Sequence, residues 1–486
     1  MKRYEKISTN VAIIGAGFSG ICMAIQLQKA GINDYCIFEK TDGISGTWHK
    51  NDYPGASCDI PSYLYCYSFE LNPNWSSVYP TQSEIKKYVE QCVEKYQIKS
   101  QIHFGKSICR ACFDEEKAIW KLITVEGTEI SARVVVSACG LLDTPNIPDI
   151  EGLKNFRGTV FHSSRWNHND NLANKKVAII GSAASAVQIS PQVAPAVEKL
   201  NIFQRSPNYI IPRRNRCYLS IEKTTFRYFP LLLRFIRTCM YFYRDLTFSM
   251  FLTNGVVRKL AKKISLRHLQ RQVPNLELRA KLTPKYALGC KRILISDDFY
   301  PTLSRKNVEL ITAPISRIVP RGIITTDDKS YEVDSIVMAT GFETVKFLSS
   351  MEIIGLNNIR LQEQWSSGPQ AYYGVSVANF PNFFLLLGPN TGLAHNSIIF
   401  MIEVQVQHIL RCIKKLRDNK YIVVKKCAME KFNHHIHEDL KNTVWQESCS
   451  SWYKTKEGKI PAIWPYSCTK YWYLARKPNP KSYDLI

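Results

Sequence analysis

The chain has 486 residues, 45% hydrophobic and 22% charged, with 64 Lys and Arg against 41 Asp and Glu for a formal net charge of +23. That length exceeds one ordinary core and asks for two or three lobes, and the balanced composition excludes a disordered or low-complexity chain. The positive excess suits anionic partners such as phosphorylated cofactors, nucleic acid or an acidic membrane surface, and does not by itself choose among them.

The opening MKRYEKISTN is charged and polar and runs straight into a strand, which predicts no secretory leader. Residues 10–40 then read as strand, glycine turn, helix and strand. VAII is apolar throughout, as a buried parallel strand is. Gly15, Gly17 and Gly20 form G-x-G-x-x-G. In such a turn the first glycine makes the bend, the second admits a pyrophosphate to the backbone, and the third lets helix pack on strand. The following helix N-terminus offers N–H groups to phosphates. The next strand, YCIFE, ends at Glu39, 24 residues after Gly15, where a carboxylate can accept both ribose hydroxyls of an adenosine.

The CxxC of Cys109 and Cys112 lies in the strand-like SICRACF and predicts no redox role. The fifteen cysteines are scattered and odd in number, which favours a reducing, cytoplasmic setting over a disulfide framework.

The layout of the first turn returns at 177–205. VAIIG is followed by SAASAVQISPQVAPAV and the strand KLNIFQR, and Arg205 follows Gly181 at the offset of Glu39 from Gly15. Glu39 repels a 2′-phosphate, whereas Arg205, with Ser206 beside it, attracts one. The pair therefore predicts an FAD site first and an NADPH site second. Ala183 stands where the first turn has Gly17. Its methyl group is expected to push backbone or cofactor slightly outward, tolerably if Ser182, Ser185 and Arg205 still hold the cofactor. A crippled second site is the alternative.

Arg227, Arg234, Arg237, Arg244 and Asp245 interrupt the apolar segment 225–257, which excludes a membrane span. The arginines are spaced as if on one helical face. A helix of a soluble subdomain packed by its aromatic face is the preferred reading, with a peripheral membrane contact as the alternative. The cluster His434, His435 and His437 lies in a Lys-rich helical stretch and predicts a solvated face; no metal is expected. The basic charge is spread out without a nucleic-acid fold motif, so no nucleic-acid partner is expected.

Just before the second turn lies FRGTVFHSSRW, residues 156–166. Phe156, Gly158, His162 and Trp166 match F-x-G-x-x-x-H-x-x-x-W, and the chain thereby resembles the type I Baeyer–Villiger monooxygenases, class B flavin enzymes. Asn167 stands where that pattern usually continues with Pro or Asp. GTW (46–48), NDYPGASCD (51–59), CKR (290–292), ATGF (339–342), GPN (388–390) and SWY (451–453) follow in the family's order. PSYLYCYSF, GCKRILISDDFYPTL and GPNTGLAHNSIIFMIE are most similar to the branch of 4-hydroxyacetophenone monooxygenase.

The resemblance implies an α/β fold with two dinucleotide-binding, Rossmann-like domains. The FAD domain would be discontinuous, 1–147 and 331–486. The NADP domain, 148–330, would be inserted and carry a helical excursion near 215–285. Gly15, Gly17, Ser19, Gly20 and Glu39 would hold the FAD adenosine and pyrophosphate, and Thr47, Trp48, Asp59 and Tyr65 would line the flavin. Gly181, Ser182, Ala183, Ala184, Ser185, Arg205, Ser206 and Lys291 would hold NADP. Arg292, over the isoalloxazine, would be the main catalytic residue with Asp59 as its partner. Trp452 would contact the nicotinamide cofactor, and the fingerprint residues Phe156, Gly158, His162 and Trp166 would support cofactor movement.

The implied reaction uses NADPH and O2 to insert one oxygen into a small ketone through a C4a-peroxyflavin, giving an ester or lactone. Oxidation of sulfide or amine nucleophiles is the nearest alternative. An uncoupled NADPH oxidase or redox-sensing flavoprotein is another. A disulfide reductase would need a cysteine pair against the flavin, and no CxxC opens a helix near the first turn.

Overall fold

The computed structural model describes residues 5–253, 255–416, 419–447, 451–455 and 457–486. Two sheets organise the α/β chain. In the first, Lys6–Ile14 pairs in parallel with Tyr35–Phe38 on one side and Glu129–Ser137 on the other. An antiparallel meander, Ile108–Asp114, Ile119–Thr124 and Glu129–Ser137, extends that sheet. Its strands alternate buried and exposed residues, as a half-covered antiparallel sheet requires. The central Val11–Ile14 is buried throughout, as a covered parallel strand must be.

The second sheet has five parallel strands in the spatial order Val308–Ile311, Lys199–Phe203, Lys176–Ile180, Ser335–Met338, Thr159–His162. After it the chain returns to the first sheet, adding Glu352–Ile354 and Phe383–Leu385. One nucleotide-type sheet is thus inserted into another. Ser335–Met338 pairs with both Thr159–His162 and Lys176–Ile180, so the inserted sheet runs past residue 330, where the sequence reading ended that domain. Parallel pairing across such separations leaves no local mark on the strand's composition.

Two links carry the chain between the sheets, and they pair with each other. Asn146 N donates to Gly341 O at 2.8 Å, Glu343 N to Thr144 O at 2.9 Å, and Thr340 Oγ1 to Asn146 O at 2.6 Å.

The excursion contains the helices Ser220–Tyr228, Pro230–Leu246, Val256–Gln272 and Leu276–Leu282. Pro230 begins a new helix, so Arg227 does not share a helix with Arg234, Arg237 and Arg244. The aromatic packing expected for this segment holds in part: Phe226 and Phe251 are buried, and Tyr241 packs on Phe400 with ring centroids 4.7 Å apart. Arg237 Nη2 donates to Cys66 O and Arg244 Nη2 to Tyr79 Oη, both toward the first lobe, while Phe235 and Phe242 face outward. Among the described residues no helix is long and apolar enough to cross a membrane.

Candidate functional site

The first glycine turn sits at the carboxyl end of Lys6–Ile14. Gly15 has φ +108°, and a Cβ there would lie 2.8 Å from Ala138 O. Gly20 opens the helix Phe18–Lys29 so close to the turn that a Cβ would stand 1.9 Å from Gly15 O. Ser19 is buried in the first helical turn. Glu39 is buried; its carboxylate accepts from Ala16 N at 2.8 Å and from Thr41 N and Oγ1 at 2.9 and 2.8 Å. It closes the turn from the next strand and keeps a carboxylate beside the N–H groups.

The segment after Glu39 folds back over this turn. Gly46 comes so near Gly17 that a Cβ on Gly46 would lie 3.0 Å from Gly17 Cα. Thr47 and Trp48 form a short helix behind it, and Trp48 Nε1 donates to Tyr65 Oη at 2.9 Å. Ser45 Oγ is buried and finds no partner among the described residues. A narrow glycine cradle with an unpartnered hydroxyl beside a helix N-terminus fits a dinucleotide pyrophosphate.

In the second turn Gly181 has φ +119°, and a Cβ would stand 2.3 Å from Ala339 O. Ala183 has φ −87° and ψ −162°, close to the −80° and −171° of Gly17. That extended conformation is open to any residue, and Ala183 is exposed. The methyl group therefore leaves the backbone of the turn as it is in the first copy. Ala184 and Ser185 begin the helix Ala184–Val193. Ser182 Oγ donates to Ser206 O at 3.1 Å, and Asn208 Nδ2 donates to Ser182 O at 2.8 Å.

Lys291 Nζ donates to Ser206 Oγ at 2.6 Å, which brings Lys291, Ser206 and Arg205 into one cluster. Burial and then the charge of Arg205 push the Lys291 ammonium below its ordinary range. Two cations gathered around a hydroxyl are relieved by a dianion, so this corner fits a 2′-phosphate.

Asp59 and Arg292 come from segments 233 residues apart in the chain. Arg292 precedes the strand Leu294–Ile295, which pairs with Ile210–Ile211 where the chain enters and leaves the excursion. Its Nε and Nη2 reach Asp59 Oδ2 at 3.0 and 2.5 Å. Burial would raise the Asp59 carboxyl, but Arg292 outweighs it and holds the carboxyl below its usual range. The pair is fully ionised at neutral pH, and Arg292 is raised chiefly by Asp59.

The segment carrying Asp59 is braced by the second lobe. Tyr53 Oη donates to Gln188 Oε1 at 3.0 Å, and Gln188 Nε2 to Ser57 O at 2.9 Å. Gly55 has φ +82° and lies so near the helix that a Cβ would meet Gln188 O at 2.6 Å. The sequence reading quoted this segment without assigning Tyr53 or Gln188. Tyr53 lies inside the motif NDYPGASCD, but Gln188 lies 135 residues away and carries no signal of its own.

Tyr453 was also missed. It is buried, its hydroxyl finds no partner among the described residues, and Arg292 acts on its titration. Burial pushes its phenol up to about 12 against the opposing pull of Arg292, so it stays a neutral donor. Its neighbour Trp452, 39% exposed, has its ring centroid 4.2 Å from that of Tyr453. Thr344 Oγ1 donates to Trp452 O at 2.7 Å, tying this loop to the second link between the sheets.

Of the fingerprint residues, His162 stands at a link between the sheets, through Gly341. Ser164 N donates to His162 Nδ1 at 3.1 Å, which leaves the proton on Nε2 to be donated to Gly341 O at 3.0 Å. Burial lowers the His162 pKa and keeps the ring neutral. Phe342 packs edge-on against His162, and Trp166 packs edge-on against Phe161. Gly158 leaves room for the Phe156 ring, which a Cβ would approach to 2.7 Å. Cys109 and Cys112, both free thiols, lie on the antiparallel meander of the first sheet, and His434 and His435 are exposed on a helix.

Residues 12–211 match the family model described as pyridine nucleotide-disulphide oxidoreductase. A Baeyer–Villiger monooxygenase of Pseudomonas aeruginosa is 39% identical over 98% of this chain and 91% of its own length. One of Streptomyces coelicolor is 35% identical over 100% of this chain and 95% of its own. Among solved structures, an oxidised steroid monooxygenase bound to NADP superposes with TM-score 0.88 at 28% identity, and a closed cyclohexanone monooxygenase with 0.88 at 26%. Each covers 99% of both chains.

Proposed function

Because the chain belongs to the Baeyer–Villiger monooxygenase family, we propose that its cleft uses FAD, NADPH and O2 to convert a small ketone into an ester or lactone, with Arg292 and Asp59 as the catalytic pair. The observation that carries this reading is the Arg292–Asp59 contact, which joins the segment following the first nucleotide-type turn to the segment following the excursion. Bound FAD, reduced by NADPH, supplies the activation of O2.

The residues present do the rest. Gly15, Gly17, Ser19, Gly20 and Glu39 hold the FAD adenosine and pyrophosphate, and Thr47, Trp48 and Tyr65 line its flavin end. Gly181, Ser182, Ala183, Ala184 and Ser185 receive the second pyrophosphate, and Arg205, Ser206 and Lys291 the 2′-phosphate. Arg292 keeps its charge at any working pH and offers N–H donors to oxygen that becomes anionic as the carbonyl is attacked. Asp59 fixes that guanidinium by accepting from two of its nitrogens. Tyr453 supplies a neutral hydroxyl beside it, and Trp452 covers the cofactor and limits water.

The FAD unit on this reading is 1–147 together with the chain after the inserted sheet, and the NADP unit is the insert with its excursion near 215–285. His162, with Phe156, Gly158 and Trp166, positions the links rather than touching substrate. The segment 225–257 makes a peripheral surface contact.

Turnover of a ketone panel with NADPH and isotopically labelled O2 tests the reading. One labelled atom per ester, at one NADPH consumed per product, is expected. Sulfoxide from a thioether without ester from any ketone would move the enzyme to soft-nucleophile oxidation. NADPH consumption with hydrogen peroxide alone would overturn the ketone assignment.

The cation corner makes a separate prediction. Arg205→Ala should raise KM for NADPH by about tenfold, the exposed position discounting a charge-assisted contact, and leave KM for NADH nearly unchanged. In the wild type, KM for NADPH should climb as pH rises through the lowered Lys291 pKa, because the deprotonated amine no longer attracts phosphate. Equal effects on both coenzymes would remove the 2′-phosphate from this corner.

A further inference from the structure

The helical excursion turns the wrong chemistry to solvent for a water-facing subdomain. On Pro230–Leu246 the residues Leu231, Phe235, Phe242 and Leu246 recur at steps of four and seven, hence on one face. All four are exposed, Phe235 at 65% and Leu246 at 76%. The opposite face carries buried Leu233 and the inward Arg237 and Arg244. The helix is seated firmly: Asp245 accepts from Cys468 N at 2.7 Å and Thr469 Oγ1 at 2.6 Å. The outward face is therefore fixed by the packing of the inward one.

Val256–Gln272 repeats the arrangement. Val256, Leu260 and Ile264 form an exposed stripe at steps of four, Val256 at 79%. Lys259, Lys263 and Arg267 flank that stripe, all exposed. Between residues 219 and 272 the chain has eleven Lys and Arg and two acidic residues. Of those two, Glu222 is held by Arg216 and Asp245 is buried.

From these faces we infer that residues 219–264 dock the enzyme on the surface of an anionic lipid bilayer. The apolar stripes enter the headgroup–acyl boundary, and the flanking lysines and arginines reach back to lipid phosphates. An apolar stripe bordered by cations fits this partner better than a second copy, whose identical face would bring the same positive charge against it. The inference rests on the peripheral-contact reading above and gives that contact its partner. It is independent of ketone turnover, because the binding is measured without substrate.

The test is sedimentation of the FAD-loaded enzyme with phosphatidylcholine vesicles, with and without about 30% phosphatidylglycerol. Partitioning onto the anionic vesicles should be about tenfold or more stronger, and should fall in roughly 0.5 M salt. Phe235→Glu/Phe242→Glu should lose that binding while keeping its flavin and its NADPH oxidation rate. Lys259→Glu/Lys263→Glu should lose the anionic preference alone, which keeps the test valid if the first variant misfolds. Equal binding of wild type and both folded variants, or no binding to either vesicle, would overturn the proposal. So would a dimer in vesicle-free solution that dissociates on Phe235→Glu/Phe242→Glu, by making a second copy the occupant of the face.

Discussion

Arg292→Ala should bind FAD and oxidise NADPH at near wild-type rates and yet form ester about a thousandfold more slowly. Reduction of flavin needs the two nucleotide sites, which lie on the glycine turns and the Lys291 corner. Among the described residues, the hydrogen bonds of the Arg292 side chain are both to Asp59 and neither reaches a turn. What the substitution removes is a permanent positive charge at the point where an oxygen becomes anionic. Loss of one such donor costs about 100- to 1,000-fold in related chemistry, and losing a full charge belongs at the upper end. Asp59 is then left without its cation. Its carboxyl, no longer held down by Arg292, should rise, because burial then outweighs the smaller opposing pull of Arg244. Arg292→Lys separates charge from shape: an ammonium keeps the charge but not the fork, so an intermediate loss is expected. The measurement is product formed per NADPH consumed, with hydrogen peroxide assayed in parallel. Unchanged ester yield in Arg292→Ala would remove this residue from the bond-making step.

Sequence reached the parts of this site that repeat or that carry charge. The two VAIIG turns, the opposed Glu39 and Arg205, and the Asp59–Arg292 pair all rest on local spacing or on a motif, and a glycine turn imposes its residues locally. Gln188 is invisible for the opposite reason, and Tyr53 and Tyr453, though inside NDYPGASCD and SWY, carry no sign of their role. A buried tyrosine or a helical glutamine looks the same in any core, and only the packing of one lobe on the other makes them neighbours of Asp59 and Arg292. The helix Pro230–Leu246 shows a third kind of failure. Periodicity sets the arginines apart, but the aromatics of this helix divide between its two faces: Tyr241 packs inward on Phe400, while Phe235 and Phe242 face solvent. Arg237 and Arg244 point inward because first-lobe acceptors, Cys66 O and Tyr79 Oη, lie there.

The two turns also supply a contrast in how much a single methyl group matters. Gly20→Ala should lower flavin affinity by about a hundredfold or more and destabilise the fold by about 3 kcal/mol, the cost of overpacking a site that cannot yield. Its Cβ would stand 1.9 Å from Gly15 O, and that carbonyl cannot retreat, because Gly15 is fixed by its N–H bond of 2.8 Å to Phe38 O and by the approach of Ala138. Relief must come from moving the helix Phe18–Lys29, whose N-terminus is the proposed phosphate site. Ala183→Gly in the second turn is the matching control and should change KM for NADPH by less than about threefold. The backbone there is already that of Gly17, so the substitution adds flexibility without changing shape. Flavin content of the purified protein and thermal unfolding read the first variant, and steady-state kinetics the second. A Gly20→Ala enzyme that retains full flavin would show that the helix can shift without losing the pyrophosphate. A large NADPH defect repaired by Ala183→Gly would show instead that the methyl group obstructs the second cofactor.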